Sequence, residues 1–136
     1  MSTLSVATIK SQSSAAPVFQ NTSGTEKGTL CLAWINFKGT GTVSIRDSFN
    51  ISSITDNATG KFTASFANAL TNNDYVFSGS GAQADEDHVN PNYCFPMEHD
   101  SKYLTTGFKF RTGYQSGGTS VTADRSVTLV AIFGDS

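Results

Sequence analysis

Charge is scarce in this chain: Asp, Glu, Lys and Arg make up only 15% of its 136 residues, and the net charge is −2. No basic stripe is present, so there is no field to gather phosphates, which argues against nucleic acid binding by counterion release. Nothing approaches eighteen consecutive apolar residues, and the opening "MSTLSVATIKSQSSAAPVF" lacks a run of signal-peptide length. The expectation is a soluble product of a cytoplasm, with no membrane insertion. Only two histidines occur, His88 and His99, both in one irregular stretch, and no G-x-S-x-G elbow exists. Catalysis is therefore not expected, and no cofactor is called for. The two cysteines, Cys31 and Cys94, lie far apart in sequence. Two buried thiols are expected, with a disulfide as the alternative. Nor is there sustained period-3.6 patterning with caps at both ends, so no long helix is expected.

What is present is β-forming. Gly, Ser, Thr and Asn abound, and ten Phe, four Tyr and one Trp supply bulk. The length suits one domain with one core. Residues 1–28 are small and polar apart from Leu4, Val6 and Ile9, which reads as an extended N-terminal arm ordered by a partner. Residues 29–136 read as the folded domain. "LCLAWINF" (30–37) is apolar on both parities: Leu30, Leu32 and Trp34 point one way, and Cys31, Ala33, Ile35 and Phe37 the other. "SVTLVAIF" (126–133) behaves alike, with Val130 and Ile132 opposing Leu129, Ala131 and Phe133. These two strands are expected to pair centrally. "TVSIRDSFNISSI" (42–54) carries Val43, Ile45, Phe49 and Ile51 on one parity, until Ser52 and Ser53 shift the register as a bulge would. Residues 55–60 form a hairpin loop of about four residues, followed by a half-buried strand with Phe62, Ala64 and Phe66 inward. Asn72, Asn73 and Asp74 repeat the turn before a strand at 75–77. Residues 79–102 are the longest irregular segment, and "YLTTGFKFRTGYQ" (103–115) returns to alternation, ended by Gly117 and Gly118. The whole predicts an all-β fold, an antiparallel β-sandwich, jelly-roll-like, with an extended N-terminal arm.

Asp85, Glu86, Asp87 and His88, then Glu98, His99 and Asp100, hold metal-capable groups, but their order matches neither an EF-hand nor a zinc pair. A solvated loop is the expectation. Tyr93, Phe95, Tyr103 and Tyr114 could face a sugar or pack at the base of the loop. The receptor-loop candidates are thus Asp85, His88, Tyr93, His99 and Tyr103. Leu32, Trp34, Ile35, Val130 and Ile132 serve either a subunit interface or the core, because both parities of their strands must be covered.

Two stretches carry a resemblance. "MSTLSVATI" is similar to the start MSTL-x-V-x-TI of short bacteriophage tail fibre-like virion proteins. Residues 33–70, "AWINFKGTGTVSIRDSFNISSITDNATGKFTASFANAL", resemble the Trp-x-Asn-Phe, Gly-Thr-Gly-Thr-Val, Ile-Arg-x-Ser-Phe-Asn and Thr-Asp-Asn signature of the same group. Together they span about a third of the chain, and residues 79–125 carry no part of it. The resemblance implies a non-enzymatic virion component, a homotrimer attached to other phage virion proteins by its arm and contacting a host surface glycan or protein through its loops. A head decoration or cement protein and a lectin-like glycan-binding module are the alternatives. Within the signature, Trp34, Phe37, Phe49 and Ile54 look like core positions, Gly39 and Gly41 a tight connection, and Asp56, Asn57 and Gly60 a hairpin.

Overall fold

The stretch "KFTASF" shows how the chain builds its layers. In the computed structural model, which describes residues 6, 8, 19–28, 30–82, 92–96 and 103–134, these residues form strand β6 (Lys61–Phe66). Phe62, Ala64 and Phe66 are buried, while Lys61 is exposed and Thr63 and Ser65 lie half-buried. The alternation is that of a strand with one covered face. Strand β5 (Ile51–Ala58) pairs with it antiparallel, joined by a tighter turn than expected. Ala58 already lies opposite Lys61, so only Thr59 and Gly60 turn the chain, Gly60 at φ 62°. Asp56 and Asn57 belong to the strand, not to the loop. Only Gly60, the second of the two, has a positive φ, and a register shift between Asp56 and Ala58 accommodates the turn.

Twelve strands occur among the described residues, with no helix. Besides β5 and β6 these are β1 (Phe19–Gln20), β2 (Glu26–Gly28), β3 (Cys31–Lys38), β4 (Ser44–Phe49), β7 (Val76–Ala82), β8 (Asn92–Pro96), β9 (Tyr103–Leu104), β10 (Gly107–Ser116), β11 (Thr119–Thr122) and β12 (Val127–Phe133). They make an antiparallel β-sandwich. One sheet has the order β4-β3-β12-β7, so the first and last long strands pair at its centre as expected. The other is organised on β10. Phe110 pairs with Phe62 and with Pro96, and Gly113 pairs with Thr122 and with Tyr93. Hence β6 and β11 follow one another along one side of β10, β8 lies along the other, and β5 lies outside β6.

Between the sheets, aromatic rings fill the core. Phe37 meets Phe62 edge-on at 5.0 Å and Phe110 at 5.8 Å, and Phe66, Phe77 and Tyr75 surround Phe108. Ala33, Ile35, Val130 and Ile132 close the core from the β3/β12 side. Leu32 joins them next to a register shift opposite Ile132 and Phe133.

Several expectations require correction. Trp34 and Phe49 are not core residues: Ala33, Ile35 and Phe37 take the inward parity of β3, leaving Trp34 outside, directly opposite Phe49 of β4. Ile45 is likewise exposed, whereas Val43 and Ile54 pack on the core rim. Phe49 and Ile51 do not share a face, because the chain changes sheets between them. Asn50 makes that corner with φ 53°, a left-handed conformation that Asn tolerates. Its Nδ2 donates to Leu32 O (3.1 Å) and Asn68 O (3.2 Å), and its Oδ1 accepts from Asn68 N (2.8 Å). The expected bulge follows: the register shifts between Ile51 and Ser53, and Ser52 Oγ donates to the Ser65 and Phe66 carbonyls. The turn at 72–74 forms, with Asp74 N donating to Asn72 Oδ1 (2.9 Å), but it links β6 and β7 across the sandwich and makes no hairpin. The segment 79–102 is not irregular throughout, since β7 runs to Ala82 and β8 lies inside it. Part of the arm has structure of its own: β1 and β2 pair around Asn21, whose Oδ1 accepts from Ser23 N (3.0 Å) and Thr25 N (2.8 Å). This hairpin pairs with neither large sheet.

Candidate binding surfaces

The outer face of the β4-β3-β12-β7 sheet is the most apolar surface described. Strand register sets Phe49, Trp34, Ala131 and Ser78 in one row across it, and Asp47, Asn36, Leu129 and Ser80 in the next. Val76 and Phe133 form a further pair. Phe49 is 53% exposed, Val76 65%, Leu129 45% and Phe133 39%. Beside Trp34 the small residues Ala131, Ser78 and Ser80 leave a hollow of about 400 Å³, open to solvent, with Asn36 and Leu129 on its wall. Trp34 is itself half-buried and lines this recess, and the exposed ring on the face is that of Phe49, its neighbour on β4.

The opposite outer face, on β5, β6, β10 and β8, has another character. Lys61 lies opposite Arg111, and Thr63 lies between Lys109 and Thr55. Asn57 Nδ2 donates to Thr63 Oγ1 (2.9 Å). At the β8 end, Tyr93 lies over Gly113, where a Cβ would run into the tyrosine ring and the Val121 carbonyl. The Tyr93 hydroxyl donates to Val121 O (2.8 Å), and Phe95 stacks on its ring at 5.2 Å with 23° between planes.

Of the receptor-loop candidates, Tyr93 is buried with its hydroxyl committed to the backbone, so it supports a surface without reaching a ligand. Tyr103 packs 5.2 Å from Tyr75, and burial pushes its phenol up. The packed reading of these two tyrosines therefore holds. Tyr114 lies under the Arg125 guanidinium, 4.5 Å from its ring centre, and Arg125 Nε donates to Gly113 O (3.3 Å). Asp85, His88 and His99 lie outside the described residues, as do Leu4 and Ile9; Val6 is exposed. Leu32, Ile35, Val130 and Ile132 are core, and of that group Trp34 alone faces outward. Phe95, one of the four rings that could face a sugar, is exposed and does not follow the packed reading, whereas the sequence reading missed Phe49 and Val76 as surface residues. Phe49 and Val76 could have been placed only by knowing that the chain changes sheets at Asn50 and again after β6.

Cys31 and Cys94 are free thiols, so the disulfide alternative is excluded. Burial pushes Cys94 up to about 12, and Cys31 Sγ lies 3.2 Å from Ala33 O. Among the described residues no three His, Cys, Asp or Glu side chains gather into a metal site, and no helix is long and apolar enough to cross a membrane. Comparison with protein-family models, with curated proteins and with solved structures finds no match.

Proposed function

We propose that this chain is a bacteriophage virion structural protein, a tail fibre or appendage component that works by surface attachment. Its arm, residues 1–28, docks on another virion protein, and copies of the sandwich associate as a homotrimer through the outer face of the β4-β3-β12-β7 sheet. The observation that carries the reading is the apolar patch of Trp34, Phe49, Leu129, Phe133 and Val76 on one sheet face, left uncovered by the described residues of one chain. Contiguous apolar surface of this kind marks a protein–protein contact. An exposed ring and a recess on one face suit a heterologous ring, in which Phe49 of each copy enters the hollow lined by Trp34 of the next. The reading of the chain as a phage protein rests on the resemblance of residues 1–9 and 33–70, and the exposed apolar residues of the outer face support its association with other copies.

The test is incorporation. Particles of the phage that carries the gene contain the intact chain in far lower copy number than a capsid subunit, and a chain lacking residues 1–20 folds but is left out of them. Equal incorporation of the truncated chain would remove the arm as anchor, and a capsid-like copy number would favour the head decoration protein instead.

A further inference from the structure

We infer that copies of this chain meet across the outer face of the β4-β3-β12-β7 sheet in one orientation only, all their strands running the same way along a common axis, and that Asp47 fixes this orientation by accepting a hydrogen bond from Ser80 of the next copy. The inference rests on the proposed association through this face and names the contact that sets its register.

The face is banded along its strands. Val76 and Phe133 make an apolar band at one end. The row of Phe49, Trp34, Ala131 and Ser78 holds the exposed ring and part of the hollow, and in the row after it Asp47, Asn36 and Ser80 are polar and only Leu129 is not. Successive rows stand two residues apart, about 7 Å. A rotation axis parallel to the strands leaves every residue at its own height, so each row of one copy meets the same row of the next. With Phe49 seated in the neighbouring hollow, Asp47, two residues away on the same side of β4, comes level with Ser80 on the wall of that hollow. Reversed strands would set the same carboxylate against Val76 and Phe133, buried and unpaired. One orientation thus gains a charge-assisted hydrogen bond, and the other loses the hydration of an anion.

Within one copy both groups are left with capacity to spare. Asp47 is exposed, its Oδ1 accepts from Ser48 N (2.8 Å), and it has no ion-pair partner among the described residues. A carboxylate accepts several hydrogen bonds. The two cations of β3 and β4 do not claim it. Arg46 donates to Asn36 Oδ1 (3.4 Å), Phe37 O (3.4 Å) and Ser126 O (2.6 Å), and Lys38, opposite Ser44, lies a row beyond. Ser80 is exposed, and its hydroxyl has no partner among the described residues. Asp47 and Ser80 stand at opposite ends of one row across four strands, three strand spacings or about 14 Å apart. They are too distant to meet within a copy, and a second copy brings them together.

That distance makes a charge exchange decisive. Association of the full chain is read by light scattering, with circular dichroism as the control for folding. Asp47→Ala weakens association about tenfold at each contact, and Asp47→Lys, which sets a cation against the Ser80 hydroxyl, weakens it further. Ser80→Asp added to Asp47→Lys restores association, because the new pair forms between copies and cannot form within one. The inference is overturned if Asp47→Lys associates as tightly as the intact chain, or if Ser80→Asp fails to restore it; either result, with the intact chain still associating and Phe49→Ser still abolishing association, leaves the proposed interface standing. An intact chain that is a monomer at every concentration would instead end the proposed interface, and this inference with it.

Discussion

Single residues in this sandwich are held to different degrees. Thr112 and Thr128 are both fully buried, yet Thr112 Oγ1 donates to Ala123 O at 2.7 Å whereas Thr128 Oγ1 has no hydrogen-bond partner. Thr128 lies on the inward parity of β12, between Phe37 on the neighbouring strand and Gly81. Burying a hydroxyl without a partner costs free energy that an isosteric methyl would not. Thr128→Val is therefore expected to raise stability by about 1 kcal/mol, measured as a higher urea midpoint at unchanged slope; Thr112→Val is expected to lower it by a similar amount. Val and Thr promote strands alike, so the difference between these two sites belongs to the hydrogen bond. Neither role was legible in the sequence, because alternation tells which way a side chain points and nothing about what carbonyl waits there.

At the scale of elements, the edge formed by β7, β8 and the β9–β10 turn closes one side of the sandwich, and it is fastened by groups that must stay neutral. Tyr75, just ahead of β7, donates to the Leu104 and Gly107 carbonyls, and burial pushes its phenol up from 10.0 to about 12. Cys94, on β8, is pushed up from 9.0 to about 12, also by burial. Both groups are easier to ionise in the unfolded chain. Their stabilising contribution is complete below pH 9 and is lost as pH rises from 9 towards 12. The melting temperature should fall across that window, and Cys94→Ala should move the onset upward from the thiol's ordinary value towards the phenol's. A melting temperature that stays level to pH 12 would contradict the assignment. Most elements were legible at this scale. The alternation of Phe62, Ala64 and Phe66, the pairing of β3 with β12, and the Gly117–Gly118 turn, whose glycines sit at φ 54° and 80°, all form as expected. The strand inside 79–102 was not legible, since β8 is short and is specified by its pairing with β10 more than by any pattern of its own.

For the whole molecule, assembly is the property with the clearest reporter. Trp34 is the single tryptophan and lies in the apolar row. As concentration rises, its emission should move to shorter wavelength in step with the mass measured by light scattering, because association takes the indole out of water. Trp34→Ser with Leu129→Ser should give a monomer at every concentration with an unchanged β spectrum. Constant emission through a measured change in mass would place the interface elsewhere. In the proposed assembly the apolar outer face of the β4-β3-β12-β7 sheet is the one turned to neighbouring copies.

By itself, the sequence determined that this chain forms layered antiparallel strands, because spacing of two between apolar residues can bury one side of a strand and no side of a helix. It also determined that β3 and β12 would need cover on both parities. Which parity became the interior was decided only in the tertiary structure. Phe37, Phe62 and Phe110 converge from three strands into one ring cluster, and that convergence turns Trp34 outward. The same holds for Phe49 and Phe95, whose surroundings depend on a sheet-switching corner at Asn50 and on a pairing with β10 from residues remote in the chain. Contacts of that range leave no trace in local periodicity.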